Sequence, residues 1–212
     1  AGANIFMSQF WGKKDIGNIK KMLGVDITVG FIATLIFGLA ALMIPEEIMS
    51  ILSKASQVIE LGGVYLRIVG ISTIFVNLTQ AYSSALRSTG EAKAPMYGSL
   101  IGVLSNAFLN WVFIFGNLGI KPLGVMGAAI ATTIARVIEL IYVLYMVYGK
   151  KNIVAAKFKE LFSFDMEYVK NYFKVSTSAI LNELVWSLGM TAFSVAYAFI
   201  GTNAVATMQI AT

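Results

Sequence analysis

The stretch NYFKVSTSAILNELVWSLGMTAFSVAYAFI, Asn171–Ile200, decides how the rest of the chain is read. From Val175 to Ile200 it is apolar and long enough to span a bilayer, whose hydrocarbon core of about 30 Å takes about 20 helical residues. Yet it carries an acid, Glu183, about a third of the way in. A charge there costs on the order of a few kcal/mol unless partnered, so an intramembrane acid is by default a functional candidate, usually for cation or proton handling. The alternative is a protonated Glu183 that merely hydrogen-bonds a neighbouring helix. On the residues alone the two readings stand level.

Of the 212 residues, 58% are hydrophobic and 13% charged, about half the charge density of a soluble domain. A soluble domain this apolar would expose large patches, so a polytopic membrane protein is expected, with the lipid bilayer as its first partner. With no Cys and no His, thiol chemistry, structural zinc and imidazole catalysis are excluded within this stretch. There is no GxxxxGK[ST] phosphate loop and no nucleophile set beside a base, so no catalytic residues and no enzyme are expected. The net charge of +5 raises nucleic acid as a partner. The lysines, however, lie between apolar runs rather than along one face, which suits membrane topology instead. The opening AGANIFMSQF has no basic n-region or cleavage site and is not a signal peptide. The closing AVATMQIAT stops partway into an apolar run. Both ends look cut through helices, so a fragment of a longer protein is expected.

Taken in order, residues 1–11 read as the tail of a spanning helix. The first complete span, 22–44, ends before Pro45, where a helix stops. Its Asp26, Gly30, Thr34 and Gly38 recur every four residues, a small-residue face suited to close helix packing. The second span, 61–86, carries Thr73, Asn77, Gln80 and Ser84 on one face. Lipid cannot solvate that stripe, so a cavity wall is favoured over packing alone. The third span, 96–115, carries Ser99, Asn106 and Asn110. The fourth, 124–148, contains Arg136 and Glu139, three apart and read as a structural ion pair. Tyr142, Tyr145 and Tyr148 precede Lys150 and Lys151 as an aromatic belt with a basic collar. Around 153–164, apolar and basic groups alternate as in a helix lying in the interface. The Glu183 span, 175–200, then leads to a turn at 201–203 and a further helix.

Loops 12–21, 87–93 and 150–174 hold twelve of the sixteen Lys and Arg, and loops 45–60 and 116–123 hold two. Positive loops stay in the cytoplasm, so the three basic connections belong on that side, in the alternation that five consecutive spans require. The expected localisation is a multi-pass place in the cell membrane. Convergent polar groups and one uncompensated acid suit ion-coupled transport. A carboxylate with Asn and Thr oxygens would take Na⁺, and the same acid with a raised pKa would carry H⁺.

Several motifs in series resemble a known family, the multidrug and toxic compound extrusion (MATE) transporters. They are SQFWGKKD at 8–15, YLRIVG at 65–70, LRSTGEAKAPM at 86–96, NAFLNWVFIFG at 106–116, GVMGAAIATTIARVIE at 124–139 and GTNAVATMQIA at 201–211. The resemblance implies an all-α fold of twelve helices in two six-helix bundles, with this chain running from the end of the second helix to the start of the eighth. It divides the chain into an incomplete N-terminal bundle (1–149), a cytoplasmic linker with an interfacial helix (150–174) and the start of the C-terminal bundle (175–212). It also implies export of cationic or amphipathic compounds in exchange for Na⁺ or H⁺, with no other cofactor and no obligate protein partner.

Residue by residue, Glu183 matches an acid on the family's seventh helix implicated in cation coupling, where Na⁺ would bind. Asn106 matches an Asn on the fifth helix. Asn110 stands where one branch has a proton-coupling Asp, a departure that moves weight to Glu183. Gln9, Gln80 and Thr132 match lining positions. The Pro common near the start of the seventh helix is missing from KVSTSAIL, which puts a kink there in doubt. Two other readings remain: a lipid-linked saccharide or lipid flippase of the same superfamily, whose cationic cavity would have to rest on Arg136 and Arg67, and a membrane scaffold that transports nothing.

Overall fold

In the computed structural model, residues 2–52 and 54–200 are described, and the turn and helix expected at 201–212 lie outside them. The elements are α1 (Gly2–Gly12), α2 (Ile16–Met43), α3 (Pro45–Leu52), α4 (Ser56–Ser88), α5 (Lys93–Phe115), α6 (Gly124–Leu144), α7 (Phe158–Leu161) and α8 (Met166–Ile200). Among the described residues there is no strand, as expected of a chain whose backbone must satisfy its own hydrogen bonds in lipid. Four helical stretches there are long and apolar enough to cross a membrane: α2, α4, α5, and α6 with its extension to Gly149. The fifth expected span falls within α8, a helix of 35 residues without a break at KVSTSAIL.

The helix boundaries have local causes. Asp15 accepts a hydrogen bond from the Asn18 N–H at 3.1 Å and starts α2 six residues before the expected span. Pro45 ends it, as the ring must. Gly116, at φ +75°, lets α5 stop with the left-handed residue that side chains resist. The last turn of α6 loosens into a π-helical turn, Tyr145–Gly149.

The chain forms two compact units, Ala3–Asp165 and one containing α8. In the first, α4 lies between α2 and α6, and α6 packs on α5. Glycines set the approach of α2 to α4: a Cβ on Gly70 would stand 2.8 Å from that of Ala41, and one on Gly38 would stand 3.3 Å from the Gly70 carbonyl. A Cβ on Gly30 would overlap the Asn77 side chain. The small-residue face of α2 thus packs on α4 along its glycines.

Residues 145–161 fold back on the basic end of this unit. Tyr148 shares a 2.8 Å hydroxyl contact with Tyr82 and donates to the Ala156 carbonyl at 3.0 Å. It ties α4 to the linker, a packing role beyond the expected belt. Helix within 153–164 is confined to the single turn α7, because Ile153–Ala156 spends its backbone on a turn closed by Asn152. Val154, Ala156 and Leu161 are buried. Glu160 accepts from the Lys157 backbone N–H at 2.6 Å and from Lys20 Nζ at 3.2 Å. The Lys157 bond first, and the Lys20 ammonium second, hold its carboxyl below the usual carboxylate range.

Candidate functional site

In an apolar bundle the notable feature is a chain of amides between α5 and α6. Asn110 and Asn106 stand four apart, on one face of α5, and Asn110 Nδ2 donates to Asn106 Oδ1 at 3.0 Å. Asn106 Nδ2 donates to Thr132 Oγ1 at 3.3 Å, and that hydroxyl donates to the Ala128 carbonyl at 2.9 Å. Donation therefore runs one way from α5 into α6. The far end is open, since Asn110 Oδ1 is buried and has no partner among the described residues.

Beside this chain lies a cavity of about 230 Å³ lined by Gly102, Val103, Asn106, Thr132, Ala135 and Arg136. Arg136 is four residues after Thr132 and shares its face of α6. Its Nη1 donates to Glu139 Oε2 at 2.8 Å. Glu139 is buried against Gly102, where a Cβ would come within 3.0 Å of its carboxylate. The glycine makes room for the acid, and the acid anchors a half-exposed guanidinium whose other N–H groups remain for the cavity. Val103 also lines a wider groove of about 530 Å³ with Arg87, Ala92, Pro95, Met96, Ser99 and Leu100.

The expected residues fall into three groups. Asn106, Asn110 and Thr132 come together, with the Arg136–Glu139 pair beside them. The stripe on α4 does not line this cavity. Asn77 turns to α2 and donates to the Ile27 carbonyl at 3.3 Å, and Thr73 bonds its own helix at Gly70. Ser84 is half-buried, and Gln80 and Gln9 are exposed. Glu183 is exposed on α8, in the other unit. Arg67, a candidate cavity cation by sequence, instead pairs with Glu46 at 2.9 Å between two half-exposed groups. Among the described residues no cluster of three or more His, Cys, Asp or Glu could hold a metal ion. The sequence reading missed Gly102 and placed Arg136 at a cavity only under the flippase alternative. Their signal was spacing, Gly102 four before Asn106 and Arg136 four after Thr132.

A family model for MatE matches residues 1–112, just over half the chain. The probable multidrug resistance protein YoeA of Bacillus subtilis is 26% identical over 210 residues, covering 97% of this chain and 45% of the relative. The multidrug export protein MepA of Staphylococcus aureus is 28% identical over 211 residues, covering 99% and 45%. Among solved structures, an outward-facing multidrug resistance MATE family transporter of the MOP superfamily is similar with a TM-score of 0.82 at 21% identity, over 99% of this chain and 46% of that one. A MOP superfamily transporter from Pyrococcus furiosus, described as having a binding pocket of reverse polarity that suggests a different function, is similar with a TM-score of 0.76 at 21% identity, over 99% and 47%. At such identities the likeness to solved structures speaks to the fold alone. The chain spans about half the length of the curated relatives it matches. With a membrane-spanning helical fold and a family model matched over its first 112 residues, the chain belongs to the MATE family of multi-pass membrane transporters.

Proposed function

We propose that the chain is part of a secondary-active efflux antiporter of the cell membrane, exporting cationic or amphipathic compounds in exchange for Na⁺ or H⁺. The observation that carries this reading is the family membership. The names of the relatives, multidrug resistance and multidrug export proteins, give it its direction. Residues 1–149 would then belong to one bundle, 150–174 to a cytoplasmic linker and 175–212 to the start of a second bundle. Glu183 is the acid that binds the driving ion there. The amide chain Asn110–Asn106–Thr132 supports a polar lining in the first bundle, because an unpartnered buried acceptor is costly unless something occupies it for part of the cycle.

The test is efflux by the full-length parent under imposed Na⁺ or pH gradients, with Glu183→Gln alongside. That variant is expected to insert normally and to lose ion-driven efflux. Full coupled efflux in Glu183→Gln would remove the acid from the mechanism.

One observation favours a second reading. Arg136 reaches into the cavity, and a guanidinium suits the anionic headgroup of a lipid-linked saccharide. Its pairing with Glu139 and the engagement of Arg67 by Glu46 weigh against a strongly cationic site. Flipping of a lipid-linked oligosaccharide in vesicles, without drug export, would establish the flippase instead.

A further inference from the structure

We infer that residues 151–162 form a docking surface for the anionic lipid headgroups of the cytoplasmic leaflet. The segment has two faces. Val154, Ala156 and Leu161 are buried inward, and Glu160 is held by Lys20. Outward stand Phe158, 77% exposed, and Phe162, 43% exposed, with ring centroids 4.6 Å apart. Lys151, Lys157 and Lys159 are exposed around them. Exposed aromatic pairs ringed by lysine are costly in water and fit the boundary between acyl chains and headgroups, where rings enter the apolar side and ammoniums meet phosphates.

The depth of the segment decides between water and lipid. Glu160 pairs with Lys20 in the first turns of α2, and the Leu161 carbonyl packs where Gly24 leaves room, one turn further along. The segment therefore packs beside the part of α2 where Lys20 and Lys21 give way to the apolar run from Met22, which Asp26 alone interrupts with a charge. Charge complementarity names the occupant, since the cytoplasmic leaflet carries the anionic lipids and clustered Lys beside a span is attracted to it. Lys20 holds the turn by its one acid, with Lys157 adding to the attraction on that carboxylate, so Lys151 and Lys159 are left for the membrane. The inference rests on the cytoplasmic placement of the basic loops and does not depend on the transported compound.

The experiment is amide hydrogen exchange of the 151–162 segment in the full-length parent, reconstituted in nanodiscs of phosphatidylcholine alone or mixed with phosphatidylglycerol. Exchange should slow roughly tenfold with the anionic lipid, from the attraction of the outward lysines, and high salt should reverse much of that slowing by screening. Phe158→Ser/Phe162→Ser and, separately, Lys151→Gln/Lys159→Gln should abolish the lipid dependence, with unchanged melting showing that the inward face is intact. Equal exchange in both lipids would overturn the proposal. So would protection in both that survives the substitutions, since protein and not lipid would then cover the surface. Transport is not the readout, so failure of the antiporter reading leaves this result interpretable.

Discussion

Two seams in the first unit both use glycine and asparagine, set on facing helices in one and on the same helix in the other, and reach opposite outcomes. Between α2 and α4, the space left by Gly30 is taken by the Asn77 amide, which donates to the Ile27 backbone. That seam is closed. Between α5 and α6, the space left by Gly102 is taken by the Glu139 carboxylate, whose partner Arg136 faces a cavity that Asn106 and Thr132 share. That seam stays open. An amide satisfied by backbone becomes packing, whereas an amide satisfied by another side chain leaves a lining that a ligand or a moving helix can compete for.

The largest effect should come from filling the closed seam. Gly30→Leu forces side-chain atoms into the Asn77 amide and should cost about 1–3 kcal/mol or more, read as a lowered melting temperature of the purified parent. A variant that melts normally would show the α2–α4 seam to be looser than its geometry. Next, Glu139→Gln removes the charge facing Arg136 at 2.8 Å and should cost about 1–2 kcal/mol, moderated by the half-exposure of the guanidinium. It should also change substrate-stimulated efflux more than Gly30→Ser does at matched stability, because only the open seam reaches the cavity.

Asn106→Ala and Asn77→Ala sharpen the comparison further. Each should lose about 1 kcal/mol per hydrogen bond removed. Only Asn106→Ala should alter transport beyond its loss of stability, and equal transport defects would erase the distinction between the seams. The smallest effect concerns pH. The folded carboxyl of Glu160 is held low, so the stabilising contribution of its Lys157 and Lys20 bonds is present above the ordinary carboxylate pKa and is lost as pH falls through the lowered one. Protection at residues 157–161, taken against the intrinsic exchange rate at each pH, should fall only in that acidic range, and its loss near neutral pH would point to another group.

Much of the fold was legible because lipid imposes strong rules. Long apolar runs, Pro45 and Gly116 mark where helices cross and stop. The alternation of basic and other loops gives an expected orientation without any contact being known. The site was less legible. Four polar residues in register on α4 looked like a cavity wall, yet Asn77 meets α2, since periodicity reports which face a residue occupies but not what stands opposite it. Arg136 and Glu139 were legible as a pair, because a spacing of three is enough to bring them together. That Gly102 would make room for the acid beside a cavity was not.

What the sequence by itself determined is therefore the class, the helix limits and the polar candidates, because bilayer thickness and backbone hydrogen bonding act on each segment separately. What only the tertiary structure decided is which glycine gap receives an amide and which a carboxylate. That choice depends on the rotation of one helix against its neighbour, and small-residue faces of near-equal shape leave the rotation to the sum of all their contacts.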